Sequence, residues 1–143
     1  MNRNSPRFRT GSKQCSRLFG EMIGIAFQIK DDIFDYYSSD EIGKPTGNDM
    51  REGKLTLPAL YVLNTFDDEE MRKLALCIRS LDASDEDIAR FIEYTKVKGG
   101  IEYARQAMVD YRNKALALLP QSAGQAVKDA LTAYIDYVIE RDK

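Results

Sequence analysis

The sequence contains no histidine. That absence removes imidazole general bases, Ser-His-Asp and Cys-His arrangements, and histidine-ligated zinc. Cysteine is scarce too. Cys15 and Cys77 lie too far apart for a CxxC motif and are too few for a disulfide framework, so reduced thiols packing as small apolar groups are expected. No apolar run approaches the roughly 20 residues needed to cross a bilayer. The first residues also lack the apolar stretch of a leader peptide, so the expectation is a cytoplasmic protein with no transmembrane segment. A formal net charge of -2 argues against both a nucleic-acid binder and a membrane-surface protein. Repeats, low-complexity tracts and sustained period-two alternation are also missing, the last of which argues against a sheet.

What is present reads as helix. The 143 residues, 43% hydrophobic and 31% charged, suit one modest core. Arg3, Arg7, Arg9, Lys13 and Arg17 make the first twenty residues basic with no acid, which predicts a solvated, disordered arm over residues 1–14. Residues 15–143 are then the helical part. A helix is expected over about 13–37, followed by a loop, "SSDEIGKPTGND". "REGKLTLPALYVLNTF" predicts a short buried helix with Pro58 in its first turn. Further helices are expected from Asp67 to about Ser80, from the "SDED" cap to Gly99, from Ile101 to Pro120, and from Gln125 to Ile139. Six helices with short connections make an all-α bundle.

The informative stretch is "GIAFQIKDDIFDYY", residues 24–37. At 100° per residue, Glu21, Gly24, Gln28, Asp31, Asp32 and Asp35 share one arc roughly 100° wide, while apolar residues fill most of the remaining circle. Neighbouring carboxylates repel, and acids at a helix C-terminus oppose its dipole, so a cation is expected to offset them. Hard oxygen donors without cysteine or histidine suit Mg2+ held by Asp31, Asp32 and Asp35, shared with substrate phosphates. Gly24 leaves room for a substrate beside the backbone. Lys44 and Lys54, each next to a glycine, supply ammonium groups for diphosphate oxygens. A solvated acidic face, or an acidic surface of a non-catalytic helical protein that docks a basic segment, is the competing reading. An EF-hand is excluded because "DDIFD" is helical.

Residues 24–61 carry three ordered segments, "FQIKDDIFD", "GKPTGND" and "GKLTLP". Together they resemble the second aspartate-rich region of the trans-isoprenyl (polyprenyl) diphosphate synthases, nearest to long-chain octaprenyl-type bacterial enzymes. The resemblance implies the C-terminal half of an isoprenoid-synthase-type helical fold. It also implies an Mg2+-dependent prenyltransferase in which an allylic diphosphate ionises, isopentenyl diphosphate attacks the carbocation, and released diphosphate takes the proton. It assigns metal binding to Asp31, Asp32 and Asp35, substrate contact to Phe27 and Gln28, and diphosphate binding to Lys44; Lys54 and Asp49 match motif positions as well. The first aspartate-rich motif of that family and its following arginines are absent from this sequence. "DDEEM" at 67–71 does not replace them, being better explained as first-turn charges of an exposed helix. The implied state is therefore a C-terminal part, inactive alone, forming a homo-oligomer or pairing with an N-terminal half. Such a part should leave the Phe27, Ile29 and Ile33 side of the acidic helix uncovered.

Overall fold

The computed structural model describes residues 4–37, 46–120 and 122–140, with side chains from Ser16 onward. Among the described residues there are seven helices and no strand, so the chain is all-α. They are α1 (Asn4–Phe34), α2 (Asn48–Arg51), α3 (Leu57–Thr65), α4 (Glu69–Arg79), α5 (Asp85–Val97), α6 (Gly100–Ala117) and α7 (Gln125–Glu140). Two departures from the sequence expectation stand out. First, α1 begins at Asn4, so the backbone of the basic stretch is helical. Second, α2 begins in the last two residues of the expected loop, and its four residues are too few to show a period.

The remaining boundaries follow their caps. Asp68, rather than opening α4 from within, is its N-cap and accepts the Met71 N–H at 3.1 Å. Ser84 and Asp87 form a reciprocal capping box at the start of α5. Pro58 lies in the first turn of α3, where the missing N–H is not needed. Gly99 adopts φ 87°, a left-handed conformation favourable to glycine, and separates α5 from α6. Gly100 then starts α6 in very close quarters. A Cβ there would sit 2.6 Å from Thr95 Cγ2 and 2.8 Å from the Pro58 carbonyl oxygen.

The chain divides into two compact units, one of residues 1–28 and 107–143, the other of residues 29–106. In the first, Arg112 grips Asp136 with two parallel hydrogen bonds of 2.8 and 2.7 Å, joining α6 to α7. Ala115 and Ile135 are buried there. In the second, Ile33, Tyr36, Val62, Ile78 and Phe91 form the core. The expectation that Ile29 and Ile33 are left uncovered is not met: both are buried.

Candidate functional site

The acidic end of α1 and the turn that follows α2 form one local structure within residues 29–106. Its organiser is Asp35. The backbone N–H of Gly47 donates to the Asp35 carbonyl at 2.8 Å, and those of Asn48 and Asp49 donate to the two carboxylate oxygens at 2.9 and 3.0 Å. Asp35 thus caps α2 from thirteen residues away, a task for which Gly47, the residue at the cap position, has no side chain. Gly47 is glycine for two reasons. Its φ is 78°, and a Cβ would lie 2.8 Å from Ile88 Cγ2.

The other end of α2 closes with a Schellman arrangement. Gly53 at φ 80° donates to the Met50 carbonyl at 2.9 Å, and Lys54 donates to the Asp49 carbonyl at 2.8 Å. This turn sets Lys54 beside Asp49. The Lys54 ammonium pairs with Glu52 at 3.1 Å, and that hydrogen bond and charge hold its pKa above the ordinary lysine value, with Asp49 adding to the effect. Asp49 itself is raised above the usual carboxylate value, chiefly by burial and next by the charge of Asp35, with Asp31 contributing.

The structure therefore places Asp49 within electrostatic range of Asp31, Asp35 and Lys54. Asp31 is exposed, Asp35 and Asp49 are half-buried, and Asp32 is buried. On α1, Glu21, Gly24 and Gln28 are exposed and Phe27 is half-buried. A Cβ at Gly24 would meet nothing within 4 Å, so the chain's own packing does not require glycine there. Lys30, which breaks the apolar side of the wheel, is buried, with its ammonium 5.2 Å from the Phe34 ring centre. Lys44 lies outside the described residues.

Among the described residues no three carboxylates or thiols are disposed as a ready metal cage. The donor chemistry nonetheless fits Mg2+. Each Asp35 oxygen that accepts an N–H keeps a further lone pair, Asp31 is exposed one turn away, and Asp49 feels the charge of both acids, offset in part by Lys54. Mg2+ also retains several waters and does not demand a full protein cage. Sequence reading assigned Asp49 no definite role. Its membership in the cluster depends on α2, and the only signal for it was the "GND" segment.

Tyr36, next to Asp35, is another residue that the sequence did not single out. It is 2% exposed, and its phenolic oxygen is enclosed without a hydrogen-bond partner. Burial pushes the phenol far above its ordinary range. The hydroxyls of Thr56 and Thr95 pull the other way, although neither meets full hydrogen-bond geometry.

An all-helical chain with this acidic, glycine-punctuated turn has the character of an isoprenoid-synthase fold. It belongs to the polyprenyl synthetase family, whose profile matches residues 9–95. The chain is 38% identical over 133 residues to a nonaprenyl diphosphate synthase of Mycobacterium tuberculosis, covering 90% of this chain and 38% of that protein. Among solved structures it is similar to the geranylgeranyl pyrophosphate synthase of Bacteroides thetaiotaomicron, with 52% identity and TM-score 0.82, covering 90% of this chain and 42% of that one. It is also similar to a polyprenyl synthase of Caulobacter crescentus complexed with calcium and isoprenyl diphosphate, with 28% identity and TM-score 0.78, covering 94% and 41%. The chain thus spans about two-fifths of the length of its relatives. No helix among the described residues is long and apolar enough to cross a membrane.

Proposed function

We propose that this chain supplies the second half of the Mg2+-diphosphate site of a trans-prenyltransferase, which condenses isopentenyl diphosphate with an allylic diphosphate. The observation that carries the reading is the Asp35 carboxylate held by the Asn48 and Asp49 amides, which brings Asp49 within electrostatic range of Asp35, Asp31 and Lys54. A relative of solved structure that holds calcium and isoprenyl diphosphate supports a hard divalent cation in such a fold.

In this reading Asp31, Asp32 and Asp35 hold Mg2+, and Lys44 and Lys54 hold diphosphate oxygens as point charges. When bound, Mg2+ withdraws electron density from the diphosphate so that it leaves as the allylic C–O bond breaks. Lys54 is poised for its task by the Schellman turn, and is paired with Glu52 until an anion competes for it. Phe27 and Gln28 lie on the same helix and face substrate, and the small Gly24 admits it beside the backbone. No imidazole is required, because the released diphosphate takes the proton.

One carboxylate cluster holds only part of a metal-bridged diphosphate, and ionisation needs metal charge on several oxygens together. The chain alone is therefore inactive, and it acts as a homo-oligomer or with an N-terminal half. The test is incorporation of labelled isopentenyl diphosphate, first with the purified chain and then with the co-expressed N-terminal half of a related synthase. No product from the first and product from the second is the expected result. Robust turnover by the single chain contradicts the half-site.

The exposure of Glu21 and Asp31 also suits the second reading, an acidic face that docks a basic protein segment. That reading requires neither Mg2+ nor diphosphate to bind.

A further inference from the structure

We infer that Arg51 is a positioning residue for the Asp35 carboxylate, acting through the Thr46–Asp49 turn and not by touching metal or substrate. The inference rests on the reading of the acidic turn as an Mg2+-diphosphate site. Arg51 is the last residue of α2. One arm of its guanidinium, Nη1, donates to the Thr46 carbonyl, and Nε donates to Asp85 Oδ1 at 3.2 Å. Asp85 stands in the first turn of α5, where a carboxylate is favoured by the helix dipole. The fork therefore ties the chain entering α2 to the start of a different helix.

The turn so tied is the one that binds Asp35. Between Thr46 and Asp49 lie the three N–H groups that Asp35 accepts, one on its carbonyl and two on its carboxylate. Asp35 holds the turn from one side and Arg51 from the other. Gly47, between them, has a left-handed φ and rests against Ile88, so the turn has no room to shift toward α5. Losing Arg51 removes one of these two holds, and a carboxylate on a turn freer to move loses its fixed orientation.

The Arg51–Asp85 pair is exposed to solvent, so the hold on the turn comes chiefly from the guanidinium donor to the Thr46 carbonyl. Both residues border a hollow of about 80 Å³ with Met50, Ile78 and Ile88, the Arg51 side chain 35% exposed and that of Asp85 84% exposed. A planar guanidinium also presents two donors in a rigid fork, which lysine does not.

The test combines amide exchange and calorimetry on the full chain. In Arg51→Ala, exchange at the Asn48 and Asp49 amides should quicken about tenfold, while Arg90→Ala, which breaks the Arg90 pair with Glu70, should leave both unchanged. Mg2+-dependent affinity for inorganic diphosphate should fall about fivefold in Arg51→Ala. In an Asp35→Asn background the same change should cost nothing further. Circular dichroism must show that each variant keeps its helix content. Arg51→Lys keeps the charge without the fork and should leave the two amides fast. Unchanged exchange in Arg51→Ala overturns the inference, as does slow exchange restored by lysine. Fast exchange with unaltered affinity overturns it too, and an additive loss in Asp35→Asn would mean that Arg51 meets the ligand directly. If the unaltered chain binds no Mg2+-diphosphate, the functional reading fails, and the exchange arm alone decides whether Arg51 holds the turn.

Discussion

At the scale of single residues, the two acids one turn apart, Asp31 in α1 and Asp35 just past its end, do different work. Asp31 is exposed and caps no helix among the described residues, so Asp31→Ala should leave thermal stability within about 0.5 kcal/mol while weakening the proposed Mg2+-diphosphate site. Asp35→Ala removes the acceptor of two backbone N–H groups and should cost about 1–2 kcal/mol in denaturant unfolding as well. Equal unfolding free energies for the two variants contradict the cap. Sequence pattern placed both acids on one face of a helix, yet this division of labour was not legible. It depends on a hydrogen bond between residues thirteen apart, across a segment with no periodicity.

Tyr36 gives a second residue-scale prediction, with a definite pH sign. Its buried phenol keeps its proton at pH values where an unfolded tyrosine, with its ordinary pKa of 10.0, releases it. The unfolded chain then binds fewer protons than the folded one, so stability is unaffected below pH 10 and falls as pH rises beyond it. Tyr36→Phe removes a hydroxyl that has no partner. It should unfold at the same or higher temperature at neutral pH, and should lessen the alkaline loss measured by fluorescence-monitored unfolding. Marked destabilisation at pH 7 would show that the hydroxyl is satisfied after all.

At the scale of elements, helix termini were the most readable features. The Ser84 capping box, the Pro58 first turn and the Gly99 break each act within a few residues, and pattern reading sees that range well. Close approach between elements was hidden. Nothing in "KGGIEY" shows that Gly100 lies against both Thr95 and Pro58, yet Gly100→Ala should cost about 1–3 kcal/mol because neither neighbour can retreat cheaply. Gly24→Ala is the matched control, since its Cβ meets open space. If the two variants melt alike, the packing at the α5 to α6 junction is looser than described. Leu81, which ends the α4 turn at φ 64° with 66% of its surface exposed, gives the opposite sign. Leu81→Gly should raise stability by about 0.5–1 kcal/mol, as relief of left-handed strain outweighs the little burial lost.

At the scale of the whole molecule, composition excluded chemistry and did not assign it, because a chain without histidine has no imidazole base or metal ligand. The family was legible in three short segments, and the profile match over residues 9–95 agrees. Product length was not. Relatives named for geranylgeranyl and nonaprenyl products both align with this chain, which spans about two-fifths of each. The units also show exposed apolar residues, with Val127, Tyr134 and Tyr137 along α7 each more than half exposed. The chain should therefore self-associate or pair, and a strictly monomeric species in light scattering at all concentrations would count against that.

The most direct measurement is titration calorimetry of Mg2+ and inorganic diphosphate, together and separately, into the purified chain and into Asp31→Ala. The expected result is binding of diphosphate only when Mg2+ is present, weakened at least tenfold, about 1.4 kcal/mol, in the folded variant. Diphosphate binding that ignores Mg2+, or affinity unchanged by the loss of Asp31, would contradict the assignment of the acidic turn as a metal-diphosphate site.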